Sequence, residues 1–214
     1  MIRKFKTLGI ALFATLGMSS VTASAASANP FFHSEFAGIF LTGGQTGVVA
    51  NTFTTDLGEM KCKVVNFSGS QGAMTTTTMT LKPKYQECKM AGENATVTLN
   101  GCAYTFHLEE QAEPIEARMG IECPFAGGKI EIDVGECTIT VPAQEPRKTV
   151  TFTNEGEGTT RSVIADLNVS GIEYVEHGAT CASQKQTTEN GTYTGVITVK
   201  GEDSEENHVG IWVK

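Results

Sequence analysis

The sequence predicts an all-β fold: a single-domain antiparallel sandwich or barrel of about ten strands, held together by disulfides. Three observations support this fold class. Apolar residues recur with a period close to 2, threonine is abundant, and turn signals follow one another closely, as in TTTTMTLKP and TVTFTNEGEGTTRS. After the first 28 residues no stretch shows a convincing 3.6-residue period, so helices do not separate the strands.

The strands are recognised by strict alternation of apolar and polar residues. The clearest runs are 102–109, 130–134, 163–169 and 193–199. Alternation over such lengths is typical of half-buried strands with one face in the core. Asn100-Gly101 and Asn190-Gly191 predict two-residue hairpins, because both central positions of a type I′ turn need positive φ.

The N-terminal 28 residues have the three parts of a secretory signal peptide. Three cations, Arg3, Lys4 and Lys6, precede an apolar run over 7–18, and Ala26-Ser27-Ala28 fits the cleavage rule. We therefore expect a mature chain of residues 29–214 that forms one all-β domain, with residues 29–37 disordered. The predicted localisation is secreted and extracellular, without a stable membrane span.

The mature chain is acidic. Removing three cations from the 16 lysines and arginines leaves 13 against 24 acidic residues, a formal net charge of about −11. Such a charge disfavours phosphate backbones, so nucleic acid is not an expected partner. The expected partner is an extracellular ligand or surface component that the sequence does not identify.

Two stretches, ECKMAGENATVTLNGC and ECPFAGGKIEIDVGEC, nearly repeat each other at an offset of 35 residues. In each copy the inward parity changes just before the closing cysteine, at Asn100-Gly101 in the first and Gly135-Glu136 in the second. Both dipeptides favour tight hairpins. The pattern predicts duplicated β units at 87–106 and 122–141.

An even number of cysteines in an exported chain predicts three disulfides, involving Cys62, Cys88, Cys102, Cys123, Cys137 and Cys181. If equivalent cysteines of the two repeats form equivalent bridges, the favoured pairing is Cys88–Cys102, Cys123–Cys137 and Cys62–Cys181. Two other arrangements stay open. One pairs Cys88 with Cys123 and Cys102 with Cys137, and the other joins Cys102 to Cys123 across a hairpin.

No catalytic, metal or cofactor motif is found. The cysteines lack the close pairs of zinc sites, no Cys-x-x-Cys occurs, and no nucleophile elbow or phosphate-binding glycine loop is present. The least ordinary titratable residues are His177 and the adjacent Glu176, near Cys181, which we take as weak site candidates.

The order and spacing of several segments resemble a family of uncharacterised secreted, disulfide-containing β proteins of soil actinobacteria. These segments are KCKVVNFSGS, LKPKYQEC, ATVTLNGCAYTF, ECTITVPAQ, TVTFTNEG, VSGIEYV and NGTYTGVITVKG. The resemblance implies export, disulfides and a β fold, and it transfers no catalytic or binding residue.

The expected function is that of a secreted structural or binding module, since a rigid β framework carries variable loops at its ends. The alternative is a secreted hydrolase that uses Asp, Glu and His groups not yet placed. That alternative predicts a concave pocket where such groups converge.

Overall fold

The computed structural model describes residues 31–47, 50–109, 114–183 and 187–214. Within them it contains strands and one short 3₁₀ turn at Gly158–Thr160, but no α-helix. The strands are β1 (Phe32–Ser34), β2 (Ile39–Gln45), β3 (Thr52–Thr55), β4 (Gly58–Gln71), β5 (Thr75–Thr76), β6 (Thr78–Met90), β7 (Glu93–Thr98), β8 (Ala103–Leu108), β9 (Ile115–Glu122), β10 (Lys129–Val134), β11 (Cys137–Pro142), β12 (Gln144–Glu155), β13 (Ser162–Gly178), β14 (Thr187–Glu202), β15 (His208–Val209) and β16 (Ile211–Val213).

The main sheet closes into an antiparallel barrel with eight strand positions. Four positions are single long strands, β4, β6, β13 and β14, of 13 to 17 residues. Each other position holds two strands end to end: β2 with β3, β7 with β8, β9 with β10, and β11 with β12. Neighbouring positions follow chain order, and β14 closes the ring on β2 and β3. The all-β prediction is confirmed, in its barrel form.

The two ends of the barrel differ. At the upper end three adjacent pairs of positions are joined by two-residue turns, at 56–57, 91–92 and 135–136. At the lower end β16, β1 and β5 form a small separate sheet that packs against β12 and β13. Phe32 is buried there, with its ring 5.1 Å from the ring of Phe152. The prediction of disorder over 29–37 is therefore wrong for its described part, residues 31–37.

The small lower sheet is fastened by side chains as well as by its own ladder. The Asn154 amide on β12 accepts a hydrogen bond from the Val213 N–H at 2.8 Å and donates one to the Val213 carbonyl at 2.9 Å. Trp212 stacks on His33 with ring centroids 5.2 Å apart, and the Arg161 guanidinium lies 4.9 Å from the centre of the indole. The only tryptophan of the sequence therefore helps to hold this end together.

Two of the predicted hairpins are wrong because the chain continues in the same direction. Asn100 and Gly101 do have positive φ, 51° and 81°, but β7 and β8 on either side both run antiparallel to β6. They form a kink inside one barrel position. Asn190-Gly191 likewise lies within β14, at a register shift against β13. The hairpin predicted at Gly135-Glu136 is confirmed between β10 and β11.

The two repeated stretches therefore play exchanged roles. In the first, Ala91-Gly92 turns the chain from β6 to β7, and Asn100-Gly101 is the kink. In the second, residues 123–128 form the interruption between the collinear strands β9 and β10, and Gly135-Glu136 is the turn. The segments 87–106 and 122–141 are similar in sequence but are not equivalent units of the barrel.

Three disulfides are present, and no described cysteine is free. They are Cys62–Cys88, Cys102–Cys123 and Cys137–Cys181. The preferred pairing is wrong, because the two repeats occupy non-equivalent places in the barrel and their cysteines have different partners. Of the alternatives, the bridge from Cys102 to Cys123 is correct, and it joins the kinks of two neighbouring barrel positions. Cys137–Cys181 ties β11 to the loop after β13.

Candidate functional site

The barrel interior is filled with side chains. The apolar core runs through the whole barrel, and all eight strand positions contribute to the lining of one internal cavity at mid-height. The volume of that cavity open to a water-sized sphere is ≈ 20 Å³, enough for about one water molecule. A small-molecule ligand does not fit inside the barrel without repacking.

Three tyrosine hydroxyls meet at this cavity. The Tyr85 and Tyr104 hydroxyl oxygens lie 2.5 Å apart, and the Tyr85 hydroxyl donates to Tyr193 at 3.2 Å. Burial raises the pKa of Tyr104 to about 12 and the pKa values of Tyr85 and Tyr193 well above the ordinary 10.0. The phenols are therefore neutral at physiological pH and serve as a polar centre of the core.

Glu176 and His177, the weak site candidates, do not converge, because adjacent residues of β13 face opposite sides of the wall. Glu176 is fully buried, whereas His177 is exposed. The Glu176 carboxylate accepts hydrogen bonds from the Leu57 N–H at 3.2 Å, the Ser183 N–H at 2.8 Å and the Ser183 hydroxyl at 3.0 Å. It thus joins the β3–β4 turn and the loop after β13 to the barrel.

Metal binding at this place is not supported. Among the described residues, the one cluster of three possible metal ligands is Cys137, Glu176 and Cys181. Its two sulfurs are already bonded to each other, so they offer no thiolate. The described part of the chain also has no helix with the length and apolarity needed to cross a membrane.

Carboxylates and a histidine do come together elsewhere, in an open cleft on the outer wall. This acidic cleft has a volume of ≈ 720 Å³. Gln144 crosses it, exchanging hydrogen bonds of 3.1–3.2 Å with the Glu173 backbone. The buried Thr105 hydroxyl at its wall has no hydrogen-bond partner. The titratable residues that line the cleft are His107, Glu122, Glu145 and Glu173.

A second outer surface carries the opposite charge. We call it the lysine strip, and it consists of Lys61, Lys63, Lys82, Lys84 and Lys89 on the exposed face of β4 and β6. This surface was not predicted from the sequence, although lysine at alternate positions in KCK and KPK is the signal that marks it. The signal has meaning only because β4 and β6 pair and bring the two sets of lysines side by side.

Comparisons with family models, with curated proteins and with solved structures found no match. The resemblance to secreted actinobacterial β proteins therefore stays a prediction.

Proposed function

We propose that the mature chain is an exported binding module that holds its ligand on the outer wall of the barrel. The observation that carries this proposal is the filled interior, which has room for about one water molecule. The signal sequence and the three disulfides support export, because such bonds persist in oxidising compartments. A rigid wall with clefts on it suits recognition without chemistry.

A direct test is co-sedimentation of residues 29–214 with insoluble chitin, cellulose, xylan and cross-linked polygalacturonate. We expect the protein to pellet with at least one of these polymers at micromolar concentration, without releasing reducing ends. Failure to bind any of them, with the disulfides intact, would contradict the proposal in the form in which the ligand of the outer wall is a polysaccharide.

The acidic cleft supports a second candidate, a hydrolase. Glycoside hydrolysis uses a pair of carboxyl groups across the scissile bond, and this cleft is lined by Glu122, Glu145 and Glu173 together with His107. The same polymers in soluble form test it. Release of reducing ends that is abolished by Glu122→Gln or Glu145→Gln would favour the hydrolase. Binding with no release at any pH between 4 and 8 favours the module.

A further inference from the structure

The lysine strip concentrates positive charge on an acidic protein. Its five lysines are drawn from only 13 lysines and arginines that remain after residue 28, and all five side chains are exposed. They lie on two neighbouring strands in register, with Lys61 directly opposite Lys89. The charge of the chain is therefore segregated on the barrel wall.

This arrangement works against the stability of the sheet. Like charges directly opposite each other on antiparallel strands are destabilising. Lys61 and Lys63 have partners, Glu59 at 2.6 Å and Glu87 at 3.1 Å, but these pairs are exposed and contribute little. A sequence that breaks a local rule in this way does so most often at a functional surface.

The other three lysines of the strip are available to a ligand. In the described part of the chain, no carboxylate lies within salt-bridge distance of Lys82, Lys84 or Lys89. From Lys82 to Lys89 the strip extends about 23 Å along β6, at about 3.3 Å per residue. It is long and narrow, a shape that fits a linear polymer better than a single anion.

The upper part of the strip is concave and rigid. A cleft of ≈ 710 Å³ is lined by three lysines and one acidic residue, and it reaches the Cys62–Cys88 disulfide; the four are Lys61, Lys63, Lys89 and Glu87. This disulfide joins directly opposed residues of β4 and β6, so the two strands that carry the lysines are covalently linked. A prearranged row of cations loses little entropy when a ligand binds.

The neutral residues of the strip suit a sugar more than a base. Asn66, Ser68 and Gln86 are exposed among the lysines and offer hydrogen bonds to hydroxyl groups. The aromatic residues of these two strands, Phe67 and Tyr85, belong to the core side, so β4 and β6 themselves present no ring for base stacking, and the nearest exposed ring is Phe40 on β2, opposite Ser70 and beyond the last lysine. The strip also lacks arginine, the residue best suited to bidentate phosphate recognition.

We propose that the lysine strip binds a linear acidic polysaccharide laid along β4 and β6, with carboxylates against the lysines. This rests on the proposed function, since it names the ligand class of the binding module. The neutral side chains of the strip hydrogen-bond the hydroxyls between the charges.

The test is isothermal titration of the disulfide-intact mature chain with soluble polygalacturonate, with neutral dextran and with poly(dT). The strip variant is Lys82→Gln/Lys84→Gln/Lys89→Gln, which removes the three unpaired cations. The matched control, Lys129→Gln/Lys200→Gln/Lys214→Gln, has the same net charge but leaves the strip unchanged. A lysine near an anionic surface contributes about a factor of five in affinity, so we expect about a 100-fold loss for the strip variant. The control should change less than threefold.

Two further measurements complete the test. Replacing the same three lysines by arginine should restore polygalacturonate binding, and raising the salt concentration should weaken wild-type binding more than binding by the strip variant. Equal losses in the strip variant and the control, or no wild-type binding to polygalacturonate, would overturn the inference. Tighter binding of poly(dT) through the strip would overturn it as well. If the protein still pellets with a neutral polymer, the binding module stands and only the assignment to the strip fails.

Discussion

Substitution of Glu176 should lower the free energy of unfolding, because its carboxylate stabilises the fold. Its side chain is fully buried, and its two oxygens accept three hydrogen bonds from Leu57 and Ser183. Glu176→Ala would leave two backbone N–H groups without their acceptor, at about 1–3 kcal/mol each. Both donor residues are only half-buried, so water offsets part of the loss. We expect the free energy of unfolding to fall by about 3 kcal/mol, and by about half as much for Glu176→Gln, which keeps one acceptor oxygen.

The measurement is urea unfolding of the oxidised mature chain at pH 7, followed by fluorescence of Trp212. His177→Ala is the matched control, since it lies next to Glu176 on β13 but is exposed, and it should change the free energy by less than about 0.5 kcal/mol. If Glu176→Ala is as stable as His177→Ala, the carboxylate does not hold the upper end. Reduced binding or turnover at unchanged stability would give Glu176 a functional role instead.

Three other perturbations follow from the structure. Burial raises the pKa of Tyr104 to about 12, so the protonated phenol stabilises the fold below pH 10, and this contribution to the free energy of unfolding is lost as the pH rises from 10 to 12. Tyr104→Phe should make the decrease in the free energy of unfolding over this pH range smaller, as measured by urea unfolding at a series of pH values. Replacing Cys102 and Cys123 by serine should cost about 3 kcal/mol for a loop of this length, and a non-reducing peptide map should show the two remaining bridges unchanged. Gly178→Ala should lower the melting temperature by more than 10 °C, because the residue has φ +133° and a Cβ there would lie 1.9 Å from the Glu136 carbonyl oxygen.

The wall of the barrel was predictable because its information is local. Alternation with period 2 indicates which residues face inward, and along each strand of a barrel the inward-facing and outward-facing residues alternate in the same way. Residues 163–169 show this: Val163, Ala165, Leu167 and Val169 are buried where the alternation places them, and Asp166 and Asn168 between them are exposed. Residues 102–108 follow it less strictly, because Ala103 and Thr105 are buried as well. Whether the wall closes into a barrel depends on pairing between the first and last strands, here β2 and β3 with β14, and no local pattern contains that pairing.

At the predicted turns, the local residues determine the backbone conformation but do not determine whether the chain reverses its direction. Asn100 and Gly101 have the positive φ values expected of a type I′ turn, and the Cys102 N–H bonds the Leu99 carbonyl at 2.9 Å. The same dipeptide serves as a kink because β6 continues past it and pairs with both flanking strands. Gly191 is needed for another reason: a Cβ there would lie 2.7 Å from the Ile172 carbonyl oxygen of β13. Tight turns and kinks use the same residue types, so only the pairing of the flanking strands distinguishes a turn from a kink.

The favoured disulfide pairing is wrong for the same reason, because it also depends on which strands pair. Symmetry between the repeats is an argument about sequence, whereas a bridge needs Cα atoms a few ångströms apart. Cys62 and Cys88 meet, with their Cα atoms 3.8 Å apart, because β4 and β6 pair at that register. Pairing of β4 with β6 was itself open to prediction from their adjacency in the chain. Neighbouring strands were a better guide to connectivity than the repeat.

The net charge of a protein determines its electrostatic interaction with a partner only at distances that are large compared with the spacing between the individual charges. At physiological salt the Debye length is about 8 Å, so acidic groups on the far wall are screened from a ligand on β4 and β6. Such a ligand interacts with the lysine strip and its two adjacent glutamates, where cations outnumber anions. A formal charge of about −11 for the mature chain therefore does not exclude an anionic partner. The proposed anionic partner is therefore held by this one strip of the wall, which aligns it with β4 and β6.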